Sequence, residues 1–230
     1  MLKTDPIVVL RNNLKIKLRI NSTDFQAFTN VWILEEYKIR RMHLGESDTV
    51  IDIGAHIGLF TVYISQFCPK GRIYCFEPVK ENYDLLSYNI NLNNLENTKI
   101  FNKAVTDKSS IAKIFLSTDE SAHSFFIKGS KYVEVESISL KEIFDLNHIA
   151  SCNLLKLDCE GSEYMILNSL PNDYFDYIQK IVMEYHLASE EPQLIHELVK
   201  KLISLKYDVN VEKKTSDSGL LFAIKSQNLK

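Results

Sequence analysis

The residues best placed to do chemistry fall in four short stretches. The first is Thr49-Val50-Ile51-Asp52-Ile53-Gly54-Ala55-His56-Ile57-Gly58-Leu59-Phe60-Thr61, an apolar run that passes through a glycine turn straight into a helical pattern. Gly54 permits the tight turn and Gly58 close packing behind it, while the first N–H groups of the helix face the strand ends and suit a polar ligand. Asp52, just before the turn, can meet an ammonium group. Ala55 and His56 lie in the loop itself. The second stretch, Arg72-Ile73-Tyr74-Cys75-Phe76-Glu77-Pro78, delivers Glu77 to a strand end roughly 20 residues on, where a carboxylate accepts the two hydroxyls of a ribose. A lone Glu at a strand end is more often merely solvated; paired with the glycine turn at this distance, it indicates adenosine.

The other two stretches bring acids and a base. Leu154-Leu155-Lys156-Leu157-Asp158-Cys159-Glu160-Gly161-Ser162-Glu163 ends a buried strand with three carboxylates. Glu163 reads as a helix N-terminal acid, which the helix dipole favours. Asp158 and Glu160 stand over the crevice and are candidates for catalysis. In Ile181-Val182-Met183-Glu184-Tyr185-His186, strand periodicity sends Glu184 and His186 to one face. His186 is a natural general base near neutral pH, with Glu184 to orient it. Asp158 and Glu160 could begin an oxygen-rich cation site, but no further ligand follows at informative spacing, and no metal is expected.

Strands are expected near 49–53, 72–77, 98–102, 153–158, 178–185, 207–212 and 219–225, with helices near 58–67, 80–92, 162–168 and 190–204. Strands alternating with helices imply a doubly wound, mostly parallel sheet covered on both faces. The short link at 213–218 requires a C-terminal antiparallel hairpin. Two more strands, 111–116 and 132–137, flank a polar loop. Ahead of this core (46–230), residues 1–45 form an extension within the same domain. In it, Leu14, Ile16, Leu18 and Ile20 alternate with Lys15, Lys17 and Arg19 as one or two strands with a solvated basic face. An amphipathic helix is expected over 24–42, and Trp32 reads as a core residue.

With 230 residues, 45% hydrophobic and 25% charged, the chain has the composition of an ordinary globular domain. Its 27 basic and 30 acidic residues give no clustered positive charge for a phosphate backbone, so no nucleic-acid partner is expected. No apolar run is long enough for a membrane span, and the first ten residues lack a signal-peptide core, so the expected location is the cytoplasm. Cys68, Cys75, Cys152 and Cys159 fit no zinc spacing and read as ordinary reduced thiols.

Taken together, Asp52-Ile53-Gly54-Ala55-His56-Ile57-Gly58-Leu59-Phe60-Thr61, Phe76-Glu77-Pro78, Asn102-Lys103-Ala104-Val105 and Lys156-Leu157-Asp158-Cys159-Glu160-Gly161-Ser162-Glu163 closely resemble the FkbM-type methyltransferases, over roughly residues 48–224. The resemblance implies a Rossmann-like, seven-stranded sheet and S-adenosylmethionine as cofactor, with S-adenosylhomocysteine as product. It also implies that the Gly54–Gly58 turn holds the methionine part, Glu77 the ribose, and Lys103 and Ala104 the adenine. The activity implied is O-methylation of a small-molecule acceptor, such as a sugar hydroxyl or glycan precursor. Residues 121–124 (Ser-Ala-His-Ser) would help shape the acceptor pocket, with no catalytic role for His123. A nicotinamide-dependent oxidoreductase shares the strand–glycine–helix–acid logic but would want Gly-x-Gly-x-x-Gly. A binding module that kept the fold without the chemistry is the other alternative.

Overall fold

The computed structural model describes residues 5–115 and 132–226. In chain order, these residues contain β1 (Ile7–Val9), β2 (Lys15–Lys17), α1 (Asp24–Phe28), β3 (Thr49–Ile53), α2 (Leu59–Ser65), β4 (Arg72–Phe76), α3 (Lys80–Leu92) and β5 (Thr98–Phe101). Then follow β6 (Ala104–Thr106), β7 (Ser110–Phe115), β8 (Tyr132–Ser139), α4 (Leu140–Leu146), β9 (Leu154–Leu157), α5 (Glu163–Ser169), β10 (Lys180–Tyr185), α6 (Pro192–Ser204), β11 (Tyr207–Lys213) and β12 (Gly219–Lys225).

Seven strands form one sheet in the order β11-β12-β10-β9-β3-β4-β5. The pairs from β5 to β10 are parallel, and β12 runs antiparallel to both β10 and β11. The hairpin's return strand is therefore the inner one. Its sequence explains this: Gly219-Leu220-Leu221-Phe222-Ala223 is buried throughout, as a central strand must be, whereas Tyr207-Asp208-Val209-Asn210-Val211 alternates and suits an edge. The chain lays down β3, β4 and β5 in one direction and later adds β9 and β10 on the other side of β3. That reversal opens a crevice at the carboxyl ends of β3 and β9.

Apolar side chains pack on both faces of the sheet. One cluster includes Ile51, Tyr74, Phe76, Leu155, Phe175 and Leu198. The other includes Val50, Ile57, Val62, Leu86 and Val182, and draws in Ile16, Leu18, Phe28, Val31, Tyr37, Ile39 and Met42. The N-terminal extension is thus part of the core.

Three features depart from the sequence expectations. The helix expected over 24–42 is α1, a π-helical turn (Thr29–Ile33) and, after a break, a 3-10 turn (Ile39–Met42). The break lies between Glu35 and Lys38, both left-handed (φ 47° and 51°). Within this segment Trp32 stacks on Phe28, meets Tyr63 edge-on and donates to the Leu59 carbonyl at 3.2 Å. Arg19 does not sit on a solvated basic face: it turns inward to the buried Asp24. Finally, β6 and α4 were not anticipated. β6 joins β8 and β7 in a small separate sheet, and α4 opens with a capping box between Ser139 and Glu142. The stretch 121–124 lies outside the described residues. Among those described, no helix is long and apolar enough to cross a membrane, and all four cysteines are free thiols.

Candidate active site

At the carboxyl ends of β3, β4, β9 and β10 lies a cleft of about 240 Å³. Gly54, Ala55 and His56 line its floor loop, Glu77, Pro78, Val79 and Asn82 one wall, and Asp158, Cys159, Glu160, Glu184 and His186 another. Ala104, Val105 and Ile114 contribute from the β5–β7 region, and Ala27, Asn30, Val31, Glu36 and Tyr37 from the N-terminal segment.

The floor depends on one glycine. Gly54 has φ +74°, and a Cβ there would stand 1.8 Å from the Asp158 carbonyl oxygen. Only a residue without a side chain lets the β3 turn pass so close to the end of β9. The Gly54 and Ala55 N–H groups both donate to the Phe76 carbonyl at 3.0 Å. Glu77 accepts from the His56 N–H at 2.8 Å through one oxygen and from the Val79 N–H at 2.9 Å through the other. Burial pushes its carboxyl up to about 7, against the pull of those two N–H groups and Asn82. The carboxylate is held rigid at the cleft wall with lone pairs left for a ligand.

His56 takes a left-handed conformation (φ 50°), and its Nε2 lies 3.0 Å from Arg19 Nη2. Burial, with the Arg19 charge beside it, lowers its pKa to about 4 although Asp24 pulls the other way, so the ring is neutral at pH 7. Arg19 also grips Asp24 through two side-chain nitrogens, at 3.0 and 2.8 Å, and donates to Asn82 at 2.9 Å. This network ties the N-terminal segment to the 54–56 loop and to α3.

The acidic wall is organised from beneath by Lys156. In the parallel register Asp52 and Lys156 are opposite one another, and their charges meet at 3.2 Å. Asp52 is fully buried, accepts from the Thr61 hydroxyl at 2.7 Å, and does not line the cleft. The ammonium it faces belongs to this chain. Burial alone would discharge Lys156, but Asp52 and Asp158 keep it charged. Asp158 lies 3.8 Å from Lys156 and accepts from the Tyr37 hydroxyl at 2.8 Å. Burial would raise its pKa; Lys156 and His186 outweigh it and hold the carboxyl below its ordinary range.

Glu163, the first residue of α5, is fully buried. It closes the β9–α5 turn by accepting from the Cys159 and Gly161 N–H groups at 2.8 and 2.9 Å, and it lies 3.1 Å from His186 Nδ1. The residue that orients His186 is therefore Glu163. Glu184, expected in that role, pairs with Lys214 at 3.1 Å. His186 Nε2 faces Glu160 at 3.6 Å. Burial opposes the charged ring, but Glu163, Glu160 and Asp158 together raise His186 to about 10. Protonated at neutral pH, His186 has no lone pair to act as the general base expected of it. Burial and neighbouring acids raise Glu160 to about 8 even against the His186 charge. Burial and Asp158 bring Glu184 to about 7, against Lys214.

Nine of the twelve residues singled out from sequence line the cleft: Gly54, Ala55, His56, Glu77, Ala104, Asp158, Glu160, Glu184 and His186. Asp52 lies beneath it. Gly58 starts α2 with φ +87°, where a Cβ would stand 2.7 Å from Leu86 Cδ1; its role is packing. Lys103 pairs with Glu136 at 2.8 Å on the surface. Sequence reasoning passed over Tyr37, Asn82, Lys156 and the Arg19–Asp24 pair. Of these only Lys156 left a signal, a charge inside an apolar strand.

Residues 52–209 match the model of the methyltransferase FkbM domain. "Methyltransferase 1" of Beauveria bassiana is 25% identical over 170 residues, which cover 59% of this chain and 63% of that protein. The chain thus spans under two thirds of that relative's length. "Methyltransferase sdnD" of Sordaria araneosa is 23% identical over 175 residues, covering 62% and 68%. In fold, the crystal structure of M. jannaschii TYW2 in complex with AdoMet matches with a TM-score of 0.53 at 15% identity, over 97% of this chain and 87% of that one. The chain belongs to the FkbM methyltransferase family, on the Rossmann-like fold of S-adenosylmethionine-dependent methyltransferases.

Proposed function

We propose that this protein methylates a hydroxyl oxygen of a small-molecule acceptor, such as a sugar, with S-adenosylmethionine as donor. The observation that carries the reading is the division of one cleft into two chemical halves. Glu77 and the 54–56 loop form a nucleoside side, and Asp158, Glu160, Glu184 and His186 form an acidic side that adjoins it where Gly54 passes the Asp158 carbonyl. The residues present fit the donor. Gly54 keeps the floor open where any Cβ would collide with the end of β9, and Glu77 has one oxygen fixed by each of two N–H groups, ready for a ribose diol. Ala104 lines the same cleft and is assigned to the adenine.

The donor supplies a methyl group on a cationic sulfur, which keeps the C–S electron pair when the new O–C bond forms. The chain's own task is then to place the acceptor oxygen in line, exclude water and remove a proton. Tyr37 and Val31 line the cleft from the N-terminal segment. The proton goes to Glu184, whose raised pKa of about 7 matches the working pH, as a general base requires. Charged His186, braced by Glu163, attracts and orients the acceptor oxygen.

Calorimetry with S-adenosylmethionine, S-adenosylhomocysteine and NAD tests the donor. Both sulfur compounds should bind, NAD should not, and Glu77→Ala should abolish binding. Failure of both sulfur compounds at millimolar concentration sinks the reading. Transfer of labelled methyl to a panel of sugars, amines and carboxylic acids tests the acceptor, and label found only on nitrogen would exclude the hydroxyl. Glu184→Gln should slow turnover on the order of 100-fold.

A further inference from the structure

We propose that Asp158, Glu160 and His186 bind a divalent cation of the magnesium or manganese type, at the point in the cleft where the acceptor oxygen must sit. Its catalytic use rests on the methyl-transfer reading above; its existence does not.

One ligand atom from each of the three residues lies within 4.8 Å of the other two. Asp158 and His186 follow directly on β9 and β10, which pair in register at Leu157 and Met183, so the sheet sets their spacing. Glu160 stands in the turn after β9 with φ 52°. A second observation comes from outside the triad. The far nitrogen of His186, Nδ1, lies 3.1 Å from Glu163, a fully buried carboxylate that two backbone N–H groups hold in place. A histidine that binds metal almost always has such a partner on its other nitrogen, which fixes the ring and leaves the near nitrogen's lone pair for the ion. Here the near nitrogen, Nε2, is the one that faces Glu160. The ion takes the place of the proton on Nε2, which is released on binding, so the charged ring of the metal-free protein and the metal-bound ring are alternative states.

The neighbouring ammonium groups have other first partners. Lys156 is closer to Asp52 (3.2 Å) than to Asp158 (3.8 Å), and Lys214 joins Glu36 and Glu184. Two carboxylates and one imidazole suit a hard, six-coordinate cation better than the soft, thiolate-seeking metals. Three protein ligands leave positions for water and for the acceptor.

An acceptor hydroxyl bound there becomes more acidic. Its proton passes to Glu184, the oxygen's electron pair forms the bond to the methyl carbon, and the C–S pair returns to sulfur. A metal with several open positions favours an acceptor bearing two adjacent oxygens, as in a sugar diol.

The test titrates Mn²⁺ into the intact protein and follows free Mn²⁺ by electron paramagnetic resonance. One ion should bind per chain, with Kd on the order of 0.1 mM, and Mg²⁺ should displace it. Glu160→Gln and His186→Asn should each weaken binding at least about tenfold, and Glu163→Gln should weaken it about tenfold through the ring it holds. Circular dichroism and melting report whether each variant keeps its fold, and Asp158→Asn serves if one does not. Absence of stoichiometric binding at millimolar Mn²⁺, or binding indifferent to all these changes, overturns the site. S-adenosylhomocysteine binding is measured in parallel. If it binds and Mn²⁺ does not, the metal site fails while methyl transfer stands; the converse keeps the metal site and removes its catalytic use.

Discussion

Single residues in this cleft are tuned by burial set against a few fixed partners, and Glu77 shows the consequence most directly. Its carboxyl is pushed up to about 7. Hydroxyl groups of a ribose are best accepted by the charged form, so binding should favour the deprotonated protein. The sign follows: affinity falls as pH drops through 7, because a growing fraction of Glu77 must lose a proton first. From pH 8 to pH 6, S-adenosylhomocysteine affinity in calorimetry should decrease about tenfold. Glu77→Gln should bind more weakly and show no such slope, and an equal slope in that variant would assign the titration elsewhere. Gly54 is the other residue whose identity is set by contact. Gly54→Ala combines a left-handed backbone with a Cβ 1.8 Å from a carbonyl, and should cost roughly 3 kcal/mol or more in denaturant unfolding.

At the scale of elements, the acidic wall exists because two neighbouring strands carry opposite charges at the same level. Asp52 on β3 and Lys156 on β9 are register partners, both essentially out of solvent. Removing one leaves the other as an uncompensated buried charge. Lys156→Met should therefore lose roughly 3–5 kcal/mol of stability. The double variant Asp52→Asn/Lys156→Met should recover part of that loss, giving a coupling energy above about 1 kcal/mol in a double-mutant cycle. Additive losses would mean that the pair does not act as a unit. The N-terminal segment is attached in a similar way, through Arg19 and the buried Asp24. A helix pattern read along 24–42 does not reveal this attachment, because it depends on Asn82 and His56 arriving from α3 and the β3 turn.

For the whole molecule, the cleft is bounded by pieces from nearly the full described length, from Ala27 to His186. A ligand seated there and absent from the unfolded chain should raise stability by about 2.7 kcal/mol at a hundredfold excess over its Kd. The same ligand should slow amide hydrogen exchange in residues 24–37, since these line the cleft without belonging to the main sheet; unchanged exchange there would show that the segment takes no part in binding. The alternation of apolar strands with amphipathic helices determined the doubly wound sheet, because burial on two faces leaves few other ways to cover such strands. The Gly54 turn and the acids at 158, 160 and 184 were legible for the same reason: strand ends in this architecture converge on one crevice. The inner position of β12 was also readable in principle, from its apolar run beside the alternating β11. Other features were decided only in three dimensions. Asp52 turned from a presumed ligand contact into the partner of Lys156 once β3 and β9 were in register. His186 changed from base to cation once Glu163, Glu160 and Asp158 closed around it. Local patterns encode which face is buried and where a turn must fall. The charge state of a group depends on what lies within a few ångströms of it, and those neighbours come from segments distant in the chain.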